Sequence, residues 1–196
     1  MLISPDYQEM NKTLHDSNDT YGTSSGKWAD TVKALITKYN CKSVLDYGCG
    51  KGQLKVALGS IVQEYDPGIE GKESKQPCDL VVSTDVLEHI EPALIENVLD
   101  DIAAMTLKAA FLVIDTRRAR KTLSDGRNAH LIVKSEYWWF DLLIRRFDIV
   151  KFRPLGGEFY VVVKPKSGAY VYVEYLEWCL QIIAWKAYYR LRHITH

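Results

Sequence analysis

The chain has 196 residues, which is the length of one domain, and 47% of them are hydrophobic and 26% charged. This composition is typical of an ordinary globular protein and excludes a disordered or fibrous chain. The 25 basic and 25 acidic side chains give a formal net charge of zero. A long nucleic acid is therefore not an expected partner, because its binding depends on a basic surface.

The cysteine spacing indicates free thiols. Cys41, Cys49, Cys78 and Cys179 include no C-x-x-C pair of the kind found in zinc and redox sites. A chain of this size needs no disulfide framework, and free thiols suit a reducing compartment, so we expect a cytoplasmic location. No residue spacing in the sequence requires a metal, so we expect no metal site. No apolar run reaches the ~18–20 residues of a membrane span, and the polar N-terminal segment does not resemble a signal peptide.

The hydrophobic pattern predicts alternating helices and strands. Residues 1–27 are polar and predict an extended N-terminal lead-in, and a helix follows from Trp28 to Tyr39, where apolar residues recur at helical spacing. Short apolar runs predict buried strands at 43–47, 61–65, 79–83 and 109–115, with helices at 53–58, after 92 and after 135. Two late strands, 148–152 and 159–164, have too short a connection for a parallel crossover and must be antiparallel.

This order predicts an α/β fold, with a Rossmann-like, mostly parallel sheet, helices on both faces and an antiparallel last strand. The main domain is expected to span residues 28–165. Residues 166–196 predict a C-terminal helical extension with a wide apolar surface. Its partner could be the chain's own domain, a second subunit in a homodimer, or a membrane interface.

The most informative motif is the glycine-rich turn Gly48-Cys49-Gly50-Lys51-Gly52, which follows the first strand. Such a turn is expected to bring backbone N–H groups close to a ligand. Asp66 follows the next strand, where a carboxylate can accept hydrogen bonds from ribose hydroxyls. The third glycine comes one residue earlier than in the dinucleotide pattern G-x-G-x-x-G, and Asp46 lies just before the turn. Both features favour a nucleoside that carries positive charge over NAD.

Two motifs together resemble the class I methyltransferases that use S-adenosylmethionine (SAM). Asp46-x-Gly48-x-Gly50-x-Gly52 resembles the first motif of that family, and 83–90 (Ser-Thr-Asp-Val-Leu-Glu-His-Ile) resembles the stretch at the end of its fourth strand. The resemblance covers roughly 28–164 and implies a SAM site. The cofactor-binding residues it implies are Asp46, Tyr47, Gly48, Cys49, Gly50, Asp66, Pro67, Thr84, Asp85 and Val86.

One segment departs from the family pattern. Only twelve residues separate Asp66 from Asp79, where the family has a helix, a strand and another helix. So short a segment cannot hold a strand–helix unit. We therefore expect the third strand to be missing and the second to lie at the sheet edge.

The loop at 116–133 is expected to face the acceptor, because ligands bind at the carboxyl ends of strands in open α/β sheets. His130 in this loop and His89 after the fourth strand of the family are candidate catalytic bases, although each could instead only brace its loop. The candidate residues for acceptor binding are Arg117, Arg118, Arg127 and Asn128, and the alternative for the arginines is a solvated loop.

The resemblance implies a methyltransferase that acts on an oxygen or nitrogen of a small or medium-sized acceptor, which can be anionic. Two alternatives remain. One is an NAD-linked oxidoreductase, and the other is a catalytically inactive SAM-binding subunit, which the shortened middle of the fold makes conceivable.

Overall fold

The computed structural model of the chain describes residues 1–17 and 22–167. Within them lie five α-helices and six strands, together with three short 3₁₀ helices. In chain order the helices and strands are α1 (Pro5–Ser17), α2 (Ala29–Tyr39), β1 (Val44–Tyr47), α3 (Gln53–Leu58), β2 (Val62–Tyr65), β3 (Cys78–Thr84), α4 (Ile95–Met105), β4 (Thr106–Asp115), α5 (Glu136–Leu143), β5 (Phe147–Pro154) and β6 (Glu158–Pro165).

The six strands form one sheet in the order β2-β1-β3-β4-β6-β5. β2, β1, β3 and β4 pair in parallel, whereas β6 runs antiparallel to both β4 and β5. The expected mostly parallel sheet with an antiparallel last strand is confirmed.

The short segment that connects β2 to β3 contains no strand. In the part of the chain that the structure describes, β2 is an edge strand and β3 pairs directly with β1. The connection begins as a turn in which the Asp66 N–H donates to the Lys72 carbonyl at 2.8 Å. The prediction that the third strand is missing is therefore confirmed.

Helices cover both faces of the sheet, and the alternation of side chains along β4 divides the core in two. Leu112 and Ile114 pack in one cluster with residues of α4 and α5, whereas Phe111 and Val113 pack in the other with residues of α2 and α3. A segment buried on both faces has no polar positions, which explains the continuous apolar run at 109–114 within β4.

The N-terminal segment is not an extended lead-in, and that expectation was wrong. It contains α1, in which Tyr7, Met10 and Leu14 recur at the spacing of one helix face. Tyr7 is buried and packs in a cluster with Ala129 of the loop at 116–133. The segment therefore belongs to the domain and contributes to the surface beside the sheet.

The C-terminal helical extension falls almost entirely at residues 168–196, outside the described residues, as does the homodimer contact expected of it. Within residues 1–17 and 22–167, no helix combines the length and the apolar character needed to cross a membrane.

Candidate active site

A cavity of about 670 Å³ lies at the carboxyl ends of the parallel strands. Its volume is within the range of ~300–1,000 Å³ that small-molecule sites occupy. The predicted site residues that line it are Tyr47, Gly48, Cys49, Gly50, Asp66, Pro67, Thr84, Asp85, Val86, His89, Arg117, Arg118 and His130. Asp46, Arg127 and Asn128 lie outside its lining.

The turn after β1 needs glycine at two positions. Gly48 and Gly50 have φ angles of 78° and 50°, which L side chains rarely adopt. A Cβ at Gly48 would lie 2.5 Å from Cγ2 of Val86, and one at Gly50 would lie 2.6 Å from the Gly22 carbonyl oxygen. Glycine therefore allows the turn to pack directly against the segments after β3 and before α2.

The turn does not offer its backbone N–H groups to a ligand, contrary to expectation. The N–H groups of residues 48–51 all donate to protein acceptors. Two reach the Tyr65 carbonyl at 2.8 and 3.1 Å, one reaches the Asp66 carboxylate at 3.0 Å, and one reaches the Gly22 carbonyl at 2.9 Å. A phosphate group bound at a glycine turn relies on such N–H groups. This turn therefore lacks the donors that a pyrophosphate requires.

Asp66 lies directly after β2 and is only 6% exposed. Its Oδ2 accepts from the Gly50 N–H and its Oδ1 accepts from the Gly68 N–H, each at 3.0 Å. A carboxylate oxygen can accept more than one hydrogen bond, so these contacts orient Asp66 and leave acceptor capacity at the cavity. Pro67 lines the cavity next to it.

Asp46 lies behind the turn, with 1% of its surface exposed. Neither carboxylate oxygen has a hydrogen-bond partner among the described residues. Burial raises the pKa of Asp46 from 3.8 to about 7, the charges of Glu64 and Asp66 add to this shift, and Lys72 opposes it. Asp46 is thus an uncompensated buried acid behind the turn, and a nearby positive charge would stabilise its ionised form.

The segment after β3 is strained at Asp85. This residue has a φ angle of 56°, which is uncommon outside glycine and frequent at functional sites. Its carboxylate lies 3.7 Å from the Lys27 ammonium group, which also pairs with Glu158 at 3.4 Å. Thr84 and Val86 line the cavity on either side.

The two candidate bases lie against each other. The ring centroids of His89 and His130 are 4.7 Å apart, and the rings are nearly perpendicular at 86°. Nδ1 of His89 lies 2.8 Å from the Ala129 carbonyl oxygen, and Nδ1 of His130 lies 2.7 Å from that of Arg117. The fold thus brings two distant parts of the sequence together at one wall of the cavity.

The arginines of the loop at 116–133 do not form one continuous positively charged surface. Arg117 makes two hydrogen bonds to the Asp115 carboxylate, at 3.0 and 2.6 Å, so its charge is largely balanced. Arg118 and Arg120 are exposed and line the cavity. These two side chains therefore place positive charge at the cavity.

The structure does not place Arg127 and Asn128 at the cavity, although the sequence made them candidates for acceptor binding. Arg127 pairs with Asp125 at 2.5 Å. The Asn128 side-chain oxygen accepts from the N–H groups of Ala119 and His130, and its amide nitrogen donates to the Ala119 carbonyl. Asn128 therefore holds the loop together, as asparagine often does in turns.

Glu88 is a site residue that the sequence analysis did not select. It lines the cavity with none of its surface exposed. Oε1 accepts from the Asp115 N–H at 3.2 Å, whereas Oε2 has no hydrogen-bond partner in the described parts of the chain. Burial raises the pKa of Glu88 well above its usual range, and the charge of Asp85 raises it further. In the sequence, the indication that Glu88 belongs to the site was its position directly before His89.

Two N-terminal segments also complete the cavity and were missed. Leu2, Ile3 and Tyr7 line it from the start of the chain, and residues 22–25 and Lys27 line it beside the glycine turn. The apolar spacing within α1 was the only hint in the sequence.

Comparison with known proteins gives structural matches only. No protein-family model matches the chain, and no curated sequence matches it. The structure is similar to 1,6-didemethyltoxoflavin-N1-methyltransferase from Burkholderia thailandensis, which was crystallised with 1,6-didemethyltoxoflavin and S-adenosylhomocysteine (SAH). The TM-score is 0.61 and the identity 16%, over 85% of this chain and 92% of that chain.

Two further structures have the same architecture. DhpI, solved as a complex with SAH, matches with a TM-score of 0.57 and 13% identity over 84% of this chain and 99% of that chain. Magnesium protoporphyrin IX methyltransferase (ChlM) from Synechocystis PCC 6803, with bound SAH, matches with a TM-score of 0.52 and 16% identity, over 72% and 84%. The chain therefore has the Rossmann-like fold of class I SAM-dependent methyltransferases.

Proposed function

We propose that the protein is a SAM-dependent methyltransferase that acts on an oxygen or nitrogen of a small or medium-sized acceptor, which can carry negative charge. The observation that carries the proposal is the glycine turn beside Asp66, whose N–H groups are all used within the protein. The fold is shared with methyltransferases that were solved with SAH.

The turn argues against the NAD-linked alternative. A dinucleotide places its pyrophosphate against free N–H groups of a glycine turn and a helix N-terminus. Here residues 48–51 donate to Tyr65, Asp66 and Gly22 instead. SAM has no phosphate and carries positive charge on its sulfonium and ammonium groups, so a turn of this kind suits it better.

The residues around the turn fit such a cofactor. Asp66 is oriented by two backbone N–H groups and has acceptor capacity left for the ribose hydroxyls. Asp46 is a buried acid whose oxygens have no partner among the described residues, and a cationic ligand would offset the cost of its ionisation. Thr84 and Val86 would flank the cofactor at the end of β3. When bound, SAM supplies an electrophilic methyl carbon.

The acceptor would occupy the part of the cavity that His89, His130, Arg118 and Arg120 line. Positioning is the main contribution that a protein makes to a direct displacement. Either ring lies where it could receive the acceptor proton, and the two arginines would favour an acceptor that carries an anionic group.

The test is a transfer experiment with SAM that is deuterated in its methyl group. The purified protein is incubated with this SAM and a metabolite mixture, and mass spectrometry detects labelled products and SAH. We expect a labelled product that depends on the protein and decreases sharply in an Asp66→Asn variant. SAM binding without any transfer would favour the inactive SAM-binding subunit, and absence of SAM binding would contradict the proposal.

A further inference from the structure

Three side chains at the acceptor end of the cavity form a compact cluster. One ring nitrogen each of His89 and His130 and one carboxylate oxygen of Glu88 lie within 4.8 Å of one another. Metal–ligand bonds of ~2.0–2.2 Å place adjacent ligands roughly 3–3.5 Å apart. Small side-chain rotations would therefore bring the three atoms around one ion.

Hydrogen bonds to carbonyl oxygens make Nε2 the candidate ligand nitrogen of both rings. A carbonyl oxygen only accepts, so Nδ1 of His89 donates to Ala129 and Nδ1 of His130 donates to Arg117. In a neutral ring the proton then lies on Nδ1 and the lone pair on Nε2. Histidines that bind metals usually make such a hydrogen bond with their other nitrogen.

Glu88 supplies an independent indication of a cation. Its side chain is fully buried, and Oε2 has no hydrogen-bond partner within residues 1–17 and 22–167. An isolated buried carboxylate is costly unless it is paired or bound to a metal. The carboxylates of Asp85 and Asp115 lie close enough to disfavour its negative charge further.

We propose that Glu88, His89 and His130 bind a divalent first-row transition-metal ion, and that this ion binds a hydroxyl group of the methyl acceptor. Two imidazoles and one carboxylate favour such ions over magnesium or calcium, which prefer oxygen ligands. Three protein ligands leave coordination positions open for the acceptor, as in catalytic metal sites. This inference replaces the expectation of no metal, which rested on residue spacing in the sequence.

The inference rests on the proposed function and narrows its acceptor to a hydroxyl compound. The ion would lower the pKa of the bound hydroxyl, so that its proton leaves to solvent. The resulting oxygen attacks the methyl carbon of SAM, the carbon–sulfur bond breaks, and its electron pair stays on sulfur. The products are a methyl ether, neutral SAH and the released proton.

The test titrates Co²⁺ into chelator-treated protein, with calorimetry and visible absorption as readouts. The variants are His130→Ala and Glu88→Gln, and the control is Glu70→Gln, which changes an exposed acid outside the cavity. Glu88→Gln retains a carbonyl that can accept from Asp115. We expect one Co²⁺ per wild-type chain, and at least about 100-fold weaker binding in both variants, since loss of even an outer-shell partner costs ~10–100-fold.

SAH titration of the same proteins separates the two proposals. Retained SAH affinity in the variants shows that they are folded and that the loss of Co²⁺ is local. Absence of Co²⁺ binding to the wild type, or equal binding by all variants, would overturn the metal site. Co²⁺ binding that depends on Glu88 and His130 without SAH binding would support the metal site and contradict the proposed function. Transfer to nitrogen alone would overturn the hydroxyl assignment.

Discussion

The Gly50 N–H donates to the Asp66 carboxylate at 3.0 Å and thereby ties the turn after β1 to the end of β2. β2 is an edge strand, and the Tyr65 carbonyl at its end accepts two more N–H groups of the turn. These bonds hold the two halves of the proposed nucleoside site together although the third strand of the family pattern is missing. Asp66 is thus both a structural partner of the turn and the proposed acceptor for ribose.

Replacement of Asp66 by asparagine should weaken SAH binding by about 1.5–3 kcal/mol, the range for hydrogen bonds to charged groups. The variant keeps one acceptor oxygen, so the turn should remain folded. The matched control is Asp30→Asn, whose carboxylate is fully exposed. Calorimetry measures both affinities. A loss below a few tenths of a kcal/mol at Asp66 would show that its carboxylate does not contact the cofactor.

Gly50→Ala should lower both the melting temperature and the SAH affinity, because the new Cβ would lie 2.6 Å from the Gly22 carbonyl oxygen. Gly71→Ala provides the control, since Gly71 also has a positive φ angle but no atom of the described residues lies within 4 Å of its added Cβ. The control should cost only the conformational penalty of about 1–2 kcal/mol. Equal effects of the two substitutions on stability and binding would contradict the close packing of the turn.

Ionisation of Asp46 should lower the free energy of unfolding of the ligand-free protein as the pH rises. Its pKa is raised from 3.8 to about 7, so the folded chain retains this proton at a pH where the unfolded chain has lost it. The penalty is absent below pH 4, grows between about 4 and 7, and reaches at most about 4 kcal/mol above that window. Asp46→Asn removes it.

Urea unfolding at pH 5 and pH 8 tests this linkage. The free energy of unfolding of Asp46→Asn, relative to the wild type, should be higher at pH 8 than at pH 5. Asp30→Asn, at a fully exposed position, should show no such change. A difference that is independent of pH would indicate that Asp46 ionises normally in the folded protein.

The strands of the sheet could be predicted from the sequence because burial on both faces requires a continuous apolar run, as within β4. The absence of the third strand could be predicted from segment length, since the twelve residues between Asp66 and Asp79 are too few for another crossover. α1 escaped notice because only Tyr7, Met10 and Leu14 mark its apolar face within a polar segment.

Side-chain roles in the loops were harder to predict, because they depend on contacts between distant residues. Asn128 was a candidate for acceptor binding, but a local bridge to Thr122 and hydrogen bonds to Ala119 use it within the loop. Glu88 resembled an ordinary helix-start acid in the sequence. Its burial beside Asp115 follows from packing against the end of β4, which no local pattern records.

Removal of charge from Arg118 and Arg120 should raise the KM for the acceptor that the transfer experiment identifies, with little change in SAH affinity. Both side chains line the cavity, and among the described residues neither has an acidic partner such as the one that Arg117 has in Asp115. We expect roughly a 10-fold effect for the double glutamine variant, the size of one hydrogen bond to a charged group. Arg127→Gln, outside the cavity, is the control. Lost SAH affinity with an unchanged KM would make this loop part of the cofactor site.

The most direct test of the central claim is calorimetry of the wild-type protein with SAH and, separately, with NAD. We expect SAH to bind at one site per chain. Because the N–H groups of residues 48–51 are occupied within the protein, we expect no measurable binding of NAD. NAD binding at the same turn, or no heat with SAH, would contradict the account.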